Sequence, residues 1–355
     1  MKIKQHIIGF SAIISVIAIL AGCAKEQSTV DNMLPSQKPA EPKQDIFSSA
    51  VHMGVNYGPF HYANQNPGTQ IPLSQIQADL TLIANTFSFF RTYTVSNGMD
   101  QVVPEAAARS MQVAVGVYCY PNDSVSTKAD IDLAVSRASA YPSTVTAIVV
   151  GNETNIDGPN YVGDSIVAGY MNYASQKLIA AGLTGITVSS CITGVGGLPG
   201  GSGNNHGCPQ IMQSCVSLNA QGDKVIFMTI YPYYGQKYNN QNTPSNISGN
   251  MQWSHDNGMV QAENMGLDVV IGEIGWPSQG NDSTMENATN EGLNFTATLN
   301  WINGSNIYNK SYNTLWFEMF DEPWKTDEPF GVGPYWGLYA ANGATQPKFT
   351  IPPLN

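Results

Sequence analysis

Eight short apolar segments recur along the chain, each rich in Val, Ile and aromatic residues: residues 52–57, 88–93, 112–118, 145–151, 186–191, 225–231, 268–273 and 314–320. Most are nearly continuous in apolar character rather than alternating, which is the pattern of parallel strands covered on both faces, and the gaps leave room for a crossover helix each time. Helical periodicity fills several gaps. Leu73, Ile76, Leu80 and Ile83 form one stripe and Ile131, Ala134, Val135 and Ala138 another, with further stripes over Ile166–Ala181 and Leu293–Trp301. Eight strand–helix repeats over roughly 300 residues are the arithmetic of a (β/α)8 barrel in the α/β class. A doubly wound open sheet gives a similar alternation. The barrel makes a further demand, that functional residues sit at the C-terminal ends of the strands.

The strand ends meet that demand. They carry Tyr57, Arg91, Tyr93, Tyr120, Asn152, Glu153, Tyr231, Tyr233, Tyr234, Glu273, Trp276, Glu318 and Glu322. Only 12% of the residues are charged and 26 are acidic, yet four Glu stand at three of the eight strand ends, next to apolar residues. An ionised carboxylate there is costly unless it has a partner or a task. Two carboxylates facing each other across a cleft are the minimum equipment for glycoside hydrolysis. Glu153 and Glu273, after the fourth and seventh strands, are the expected pair; membership of structural ion pairs is the competing reading. Asn152 can hydrogen-bond a sugar 2-OH, Tyr231 can donate to Glu273, and Arg91 can hold Glu273 ionised. The aromatics, with Trp324 and Trp336, suit a carbohydrate groove, although any single one serves equally well in packing.

Four motifs carry a resemblance. Gly54-Val-Asn-Tyr-Gly58, Val150-Gly-Asn-Glu153, Gly272-Glu-Ile-Gly-Trp-Pro-Ser278 and Phe317-Glu-Met-Phe-Asp-Glu-Pro-Trp-Lys325 occur in order at the expected ends of strands one, four, seven and eight. The chain resembles family 17 glycoside hydrolases, the β-1,3-glucanases among the retaining (β/α)8 enzymes. That resemblance implies a β-glucan substrate, Glu153 as acid/base, Glu273 as nucleophile, Glu322 and Lys325 as an auxiliary pair and Tyr57 as a substrate-contacting aromatic. It implies no metal or organic cofactor. The Gly- and Cys-rich stretch from Gly194 to Cys215 departs from the pattern. Transglycosylation with the same two Glu is the alternative activity, and a glucan-binding protein with a dead site is a third.

The first residues address the protein. Lys2 and Lys4 precede an apolar run from Ile7 to Leu20, then Leu20-Ala-Gly-Cys23. Fourteen helical residues rise about 21 Å, short of a hydrocarbon core of about 30 Å, so residues 1–22 read as a signal peptide. The Leu-Ala-Gly-Cys end resembles a bacterial lipobox, which makes Cys23 the lipid anchor; a soluble secreted protein with an accidental Cys is the other reading. Residues 23–50 read as a polar, Pro-bearing tether and 51–355 as one catalytic domain. By the same resemblance, Ala24 favours the outer membrane. The expected setting is the cell envelope, as a monomer. Asn-X-Ser/Thr triplets at Asn246, Asn287, Asn294, Asn303 and Asn309 then read as ordinary loop and helix residues.

The formal net charge is −11, and removing residues 1–22 takes two Lys and no acid, leaving −13. Such a field repels polyphosphate and excludes a nucleic-acid role. An oxidising envelope suggests disulfides among the remaining cysteines, with Cys208–Cys215 and Cys119–Cys191 the simplest pairing. A zinc site on His206, Cys208 and Cys215 is the weaker alternative, since it lacks a fourth ligand.

Overall fold

The computed structural model describes residues 53–219, 222–239 and 246–354. The signal segment, Cys23 and the tether lie outside the described residues. All eight expected strands form: β1 (Met53–Asn56), β2 (Phe89–Arg91), β3 (Gln112–Val117), β4 (Val145–Asn152), β5 (Thr187–Thr193), β6 (Val225–Thr229), β7 (Asp268–Ile274) and β8 (Thr314–Trp316). Each pairs in parallel with its sequence neighbour, and β8 returns to β1, so the sheet is closed in the order one to eight. The open-sheet alternative is thereby excluded.

Nearly every strand residue is buried because each strand is covered twice. One face fills the barrel axis, where Phe89, Ala114, Val149, Cys191, Phe227 and Leu315 belong to one cluster. β1 contributes Gly54 there: a Cβ would come within 2.6 Å of the Phe89 carbonyl oxygen and 3.0 Å of Leu315 Cδ2. The other face packs under helices. The α1 helix (Leu73–Ala84) buries Ile76, Leu80 and Ile83, as its stripe predicts, while Leu73 stays exposed. The α2 helix (Val102–Ala108) follows β2, α3 (Ser124–Ala140) follows β3, α4 (Asp164–Ala180) follows β4 and α5 (Pro209–Leu218) follows β5. Between β6 and β7 the chain makes α6 (Pro232–Asn239), α7 (Ile247–Ser254), a π-helical turn (His255–Met259) and α8 (Val260–Asn264). Then α9 (Ala288–Ile302) leads to β8. Asn246 and Asn287 cap α7 and α9, their side chains accepting from the backbone N–H of Gly249 and Asn290.

Among the described residues no α-helix follows β8, where the regular repeat would place an eighth. The chain instead makes two 3-10 turns (Pro329–Gly331 and Gly333–Tyr335) and a segment that seats Phe349 against Phe295 of α9 at 5.8 Å. Pairing shifts register at Val149/Asn152 on β4, Met228/Thr229 on β6 and Ile271/Ile274 on β7. These three lie toward strand C-terminal ends, where bulges re-aim side chains, and a fourth, at Val113/Ala114, lies near the start of β3.

The disulfide expectation is corrected. All four described cysteines are buried free thiols. Cys208 caps α5 and Cys215 lies seven residues along it, roughly 10 Å away at 1.5 Å per residue, too far to bridge. Cys119 and Cys191 are separated by β4, and strands two apart stand roughly 9–10 Å from each other. His206 is paired instead with Asp157 at 2.7 Å, and no group of three or more His, Cys, Asp or Glu suited to a metal occurs among the described residues.

Candidate active site

The strand ends open on a cleft of about 1540 Å³ lined, among others, by Tyr57, Tyr93, Asn152, Glu153, Tyr231, Glu273, Glu322 and Lys325. Glu153 stands immediately after β4 in a tight turn. Gly151 has φ +80° and Glu153 itself φ +48°, so the chain twists on either side of Asn152 and presents both side chains to the cleft. The twist is held by the Glu153 N–H donating to the Cys191 carbonyl at 2.8 Å. A side chain at 151 would meet Thr154 Cγ2 at 2.9 Å, so glycine is required for space as well as for φ.

The two carboxylates have different surroundings. Glu153 is half-buried and accepts one hydrogen bond, from Thr229 Oγ1 at 2.5 Å. Burial pushes its carboxyl up to about 8, the Glu273 charge pushes the same way, and the Thr229 hydrogen bond and Arg91 oppose them. Glu273, on β7, is only 3% exposed. It accepts from the Tyr231 hydroxyl at 2.6 Å and pairs with Arg91 Nη1 at 3.5 Å. Burial, and next the Glu273 charge, drive the Tyr231 phenol well above its ordinary range, so it remains a donor. One carboxyl is thus arranged to keep its proton beside another that has a donor and a cation.

Arg91 ties the floor together. Its Nη2 donates to Asn152 Oδ1 at 2.6 Å and its Nη1 to the Gly272 carbonyl at 3.3 Å. Because a guanidinium only donates, the atom facing it must be the amide oxygen, which leaves the Asn152 NH2 for a ligand in the cleft. Lys325 donates to Glu318 Oε1 at 2.6 Å, pairs with Glu322 Oε2 at 2.8 Å and lies 4.4 Å from the Phe317 ring centroid. Glu322 also accepts from the Phe60 N–H at 3.0 Å, and a Cβ at Gly58 would lie 2.5 Å from its Oε1.

Two expected residues are placed otherwise. Trp276 does not reach the cleft: it is fully buried, donates Nε1–H to the Met285 carbonyl at 2.8 Å and packs edge-on against Tyr233. Tyr233 is likewise turned into the wall, donating to Glu286 at 2.6 Å. Tyr57 borders the cleft, but its hydroxyl is donated to Asp79 Oδ2 on α1 at 2.8 Å, where His61 also bonds.

A family model for the BtgE/BtgC glycoside hydrolase domain matches residues 54–337. The chain belongs to this glycoside hydrolase family. Among its relatives is a probable family 17 glucosidase, SCW10, of Saccharomyces cerevisiae, 24% identical over 294 residues that cover 81% of this chain and 65% of that one. The BtgE/BtgC-family chain described here spans about half the length of several other curated fungal relatives it matches. Its barrel superposes on an endo-laminarinase from Formosa Hel1_33_131 with a TM-score of 0.66, at 18% identity and covering 81% of this chain and 83% of that one. It also superposes on an active-site mutant of the Rhizomucor miehei β-1,3-glucanosyltransferase in complex with laminaritriose, with a TM-score of 0.64, 20% identity and coverage of 85% and 98%.

In this family member the sequence reading missed Thr229 and Glu328. Thr229 ends β6 beside the predicted Tyr231, and its hydroxyl was the available signal. Glu328 lines the cleft and accepts from Trp336 Nε1 at 2.9 Å and the Tyr234 hydroxyl at 3.1 Å. It comes from the long connection after β8, which no strand-end argument reaches.

Proposed function

We propose that the chain is a retaining glycosidase that cleaves β-1,3-glucan, with Glu153 as acid/base and Glu273 as nucleophile. The observation that carries the reading is the contrast between the two carboxylates: Glu153 is pushed up to about 8 and keeps its proton, while Glu273 meets the Tyr231 hydroxyl and Arg91. In the first half-reaction Glu153 protonates the leaving oxygen as a Glu273 oxygen attacks the anomeric carbon, giving a glycosyl ester. In the second, Glu153, now ionised, takes a proton from water, which displaces Glu273 with net retention. The Asn152 amide, fixed by Arg91, faces the sugar beside the reacting carbon.

The linkage is supported by two structures that share the fold: the one from Formosa Hel1_33_131 is named an endo-laminarinase, and the one from Rhizomucor miehei was solved with laminaritriose. The latter is a glucanosyltransferase, which favours carrying transglycosylation as the second reading. There a sugar hydroxyl replaces water and the residues keep their roles. Both carboxylates line one cleft, which speaks against a dead binding site. The lipobox-like Leu20-Ala-Gly-Cys23 supports anchoring of a monomer at the cell envelope through Cys23, with residues 23–50 as tether to the domain beginning near 51.

The deciding experiment is a product profile on linear laminari-oligosaccharides. Shorter products indicate hydrolysis and products longer than the substrate indicate transfer. Intact oligosaccharides under all conditions would overturn the substrate assignment. Glu273→Ala should fold and lose turnover, and added azide should restore cleavage of an activated aryl glycoside as the glycosyl azide of inverted configuration.

A further inference from the structure

Six tryptophans occur in the chain. Four of them, Trp276, Trp301, Trp316 and Trp336, are at most 2% exposed, whereas Trp253 is 52% and Trp324 37% exposed. Both exposed indoles line the same cleft. Trp324 belongs to the β8 motif beside Glu322. Trp253 belongs to no motif and sits on α7, in the long crossover after β6.

The α7 helix presents one continuous face to the cleft. Asn246, Gly249, Asn250, Trp253 and Ser254 all line it, a spacing of three and four residues that places them on a single stripe. Asn246 Oδ1 accepts from the Gly249 N–H, and Asn250 and Ser254 are buried, with Asn250 Nδ2 facing the Pro232 carbonyl at 3.4 Å, so what the stripe offers a ligand is chiefly the flat Trp253 indole beside a residue with no side chain. A sugar ring stacks its apolar C–H face on such a surface.

The platform is fixed before any ligand arrives. The π-helical turn that follows α7 is pressed on the Gly-rich segment after β5: a Cβ at Gly258 would lie 1.9 Å from the Gly194 oxygen, and one at Gly197 would lie 2.5 Å from the Gly258 oxygen. On the far side His255 stacks on Tyr308 at 3.6 Å, and the Tyr308 hydroxyl donates to Asp256 Oδ1 at 2.6 Å. The departure of residues 194–215 from the family pattern thus has a structural use, since its glycines let the backbones meet and set α7 against the cleft.

From this geometry we infer that the α7 face is a sugar-binding subsite on the leaving-group and acceptor side, with Trp253 as its stacking platform. The inference rests on the glycosidase reading above. The side follows from the proton donor. Glu153 Oε1 is held by Thr229 at the end of β6, which leaves Oε2 for the proton, and the cleft wall on this side is formed by Thr193, Gly194 and Val195 after β5 and by α7, which the Gly194–Gly258 contact joins to them. The sugar on the leaving oxygen is assigned to this wall, in the crossover after β6 that carries α7.

The test compares wild type, Trp253→Ala and Trp253→Phe on laminari-oligosaccharides of increasing length and on dinitrophenyl β-glucoside, whose leaving group carries no sugar. Trp253→Ala is expected to lose about tenfold in kcat/KM on the longer oligosaccharides, chiefly through KM. It should form less transfer product with added laminaribiose and leave the aryl glucoside unchanged, and Trp253→Phe should recover part of the loss. An unchanged length dependence and acceptor response in an active Trp253→Ala protein overturns the subsite. Equal loss on the aryl glucoside overturns it too, because the defect then lies at the reacting centre. Wild-type protein that cleaves the aryl glucoside but no laminari-oligosaccharide overturns the β-1,3-glucan reading, and the subsite falls with it.

Discussion

The Tyr231 hydroxyl stands 2.6 Å from Glu273 Oε2, reaching from just after β6 to the neighbouring β7. Glu273 is nearly inaccessible, so this donor and Arg91 replace the water an exposed carboxylate would have. A hydrogen bond to a charged group is worth about 1.5–3 kcal/mol net, so Tyr231→Phe should lower kcat/KM roughly 10- to 100-fold. Steady-state kinetics on laminari-oligosaccharides would show it. A loss under twofold, with the fold intact by circular dichroism, would mean that Tyr231 only packs.

The raised Glu153 carboxyl gives the activity a signed pH dependence. In the proposed mechanism Glu153 must be protonated to deliver its proton to the leaving oxygen, and burial first, then the Glu273 charge, hold its carboxyl at about 8. Below that pH the acid is present; above it, kcat/KM should fall about tenfold per unit. The Thr229 hydroxyl favours the ionised form. Thr229→Val removes that preference, so the descending limb should move to higher pH. The profile must be taken on a natural oligosaccharide, since an activated aryl leaving group needs little protonation. A limb displaced to lower pH in Thr229→Val contradicts the arrangement.

What could be read from the residues followed from burial. All eight strands were legible because a strand covered on both faces is apolar throughout, and Glu153 and Glu273 because a carboxylate directly after such a run is conspicuous. Direction was the harder quantity. Trp276 lies two residues beyond β7 in a matching motif, yet the loop turns its indole outward to the Met285 carbonyl, and spacing along a strand says nothing about that turn. The Tyr57 hydroxyl meets Asp79 from α1, a contact between elements that only the closed barrel brings together. Cys208 and Cys215 are close in sequence, but the helix between them holds them apart. Glu328 sits in the long connection after β8, where no period marks a face, and Trp253 sits on α7, whose spacing alone does not say which side meets the cleft.

The cysteines give a chemical check on the fold. Burial raises the thiols of Cys119, Cys208 and Cys215 to about 12 and that of Cys191 further, so thiolate is scarce at neutral pH. A thiol reagent should leave these four unmodified in the native protein, and all four should react once guanidinium unfolds it. Reductant should not change the thermal unfolding temperature. A reductant-dependent drop of several degrees would show that a disulfide forms after all.

The segment after β8 closes the structure through one lysine. Lys348 Nζ donates to Asp321 Oδ1 at 2.6 Å, to Ser278 Oγ at 2.6 Å and to the Tyr335 carbonyl at 3.5 Å. These belong to the connections after β7 and β8, and Tyr335 immediately precedes Trp336, which lines the cleft. Asp321 is 4% exposed, and burial drives its carboxyl upward against the pull of Lys348. Removing the lysine strands a buried acid, for which a broken pair costs about 3–5 kcal/mol. Lys348→Met should therefore lower the unfolding temperature by several degrees and raise KM on glucan, as the wall that carries Trp336 loosens. Asp321→Asn removes the stranded charge, so the double variant should be less destabilised than the two single effects added together. Strict additivity would mean that Lys348 acts independently of Asp321, through Ser278, the Tyr335 carbonyl and the buried Glu291, whose Oε2 lies 4.0 Å from Nζ.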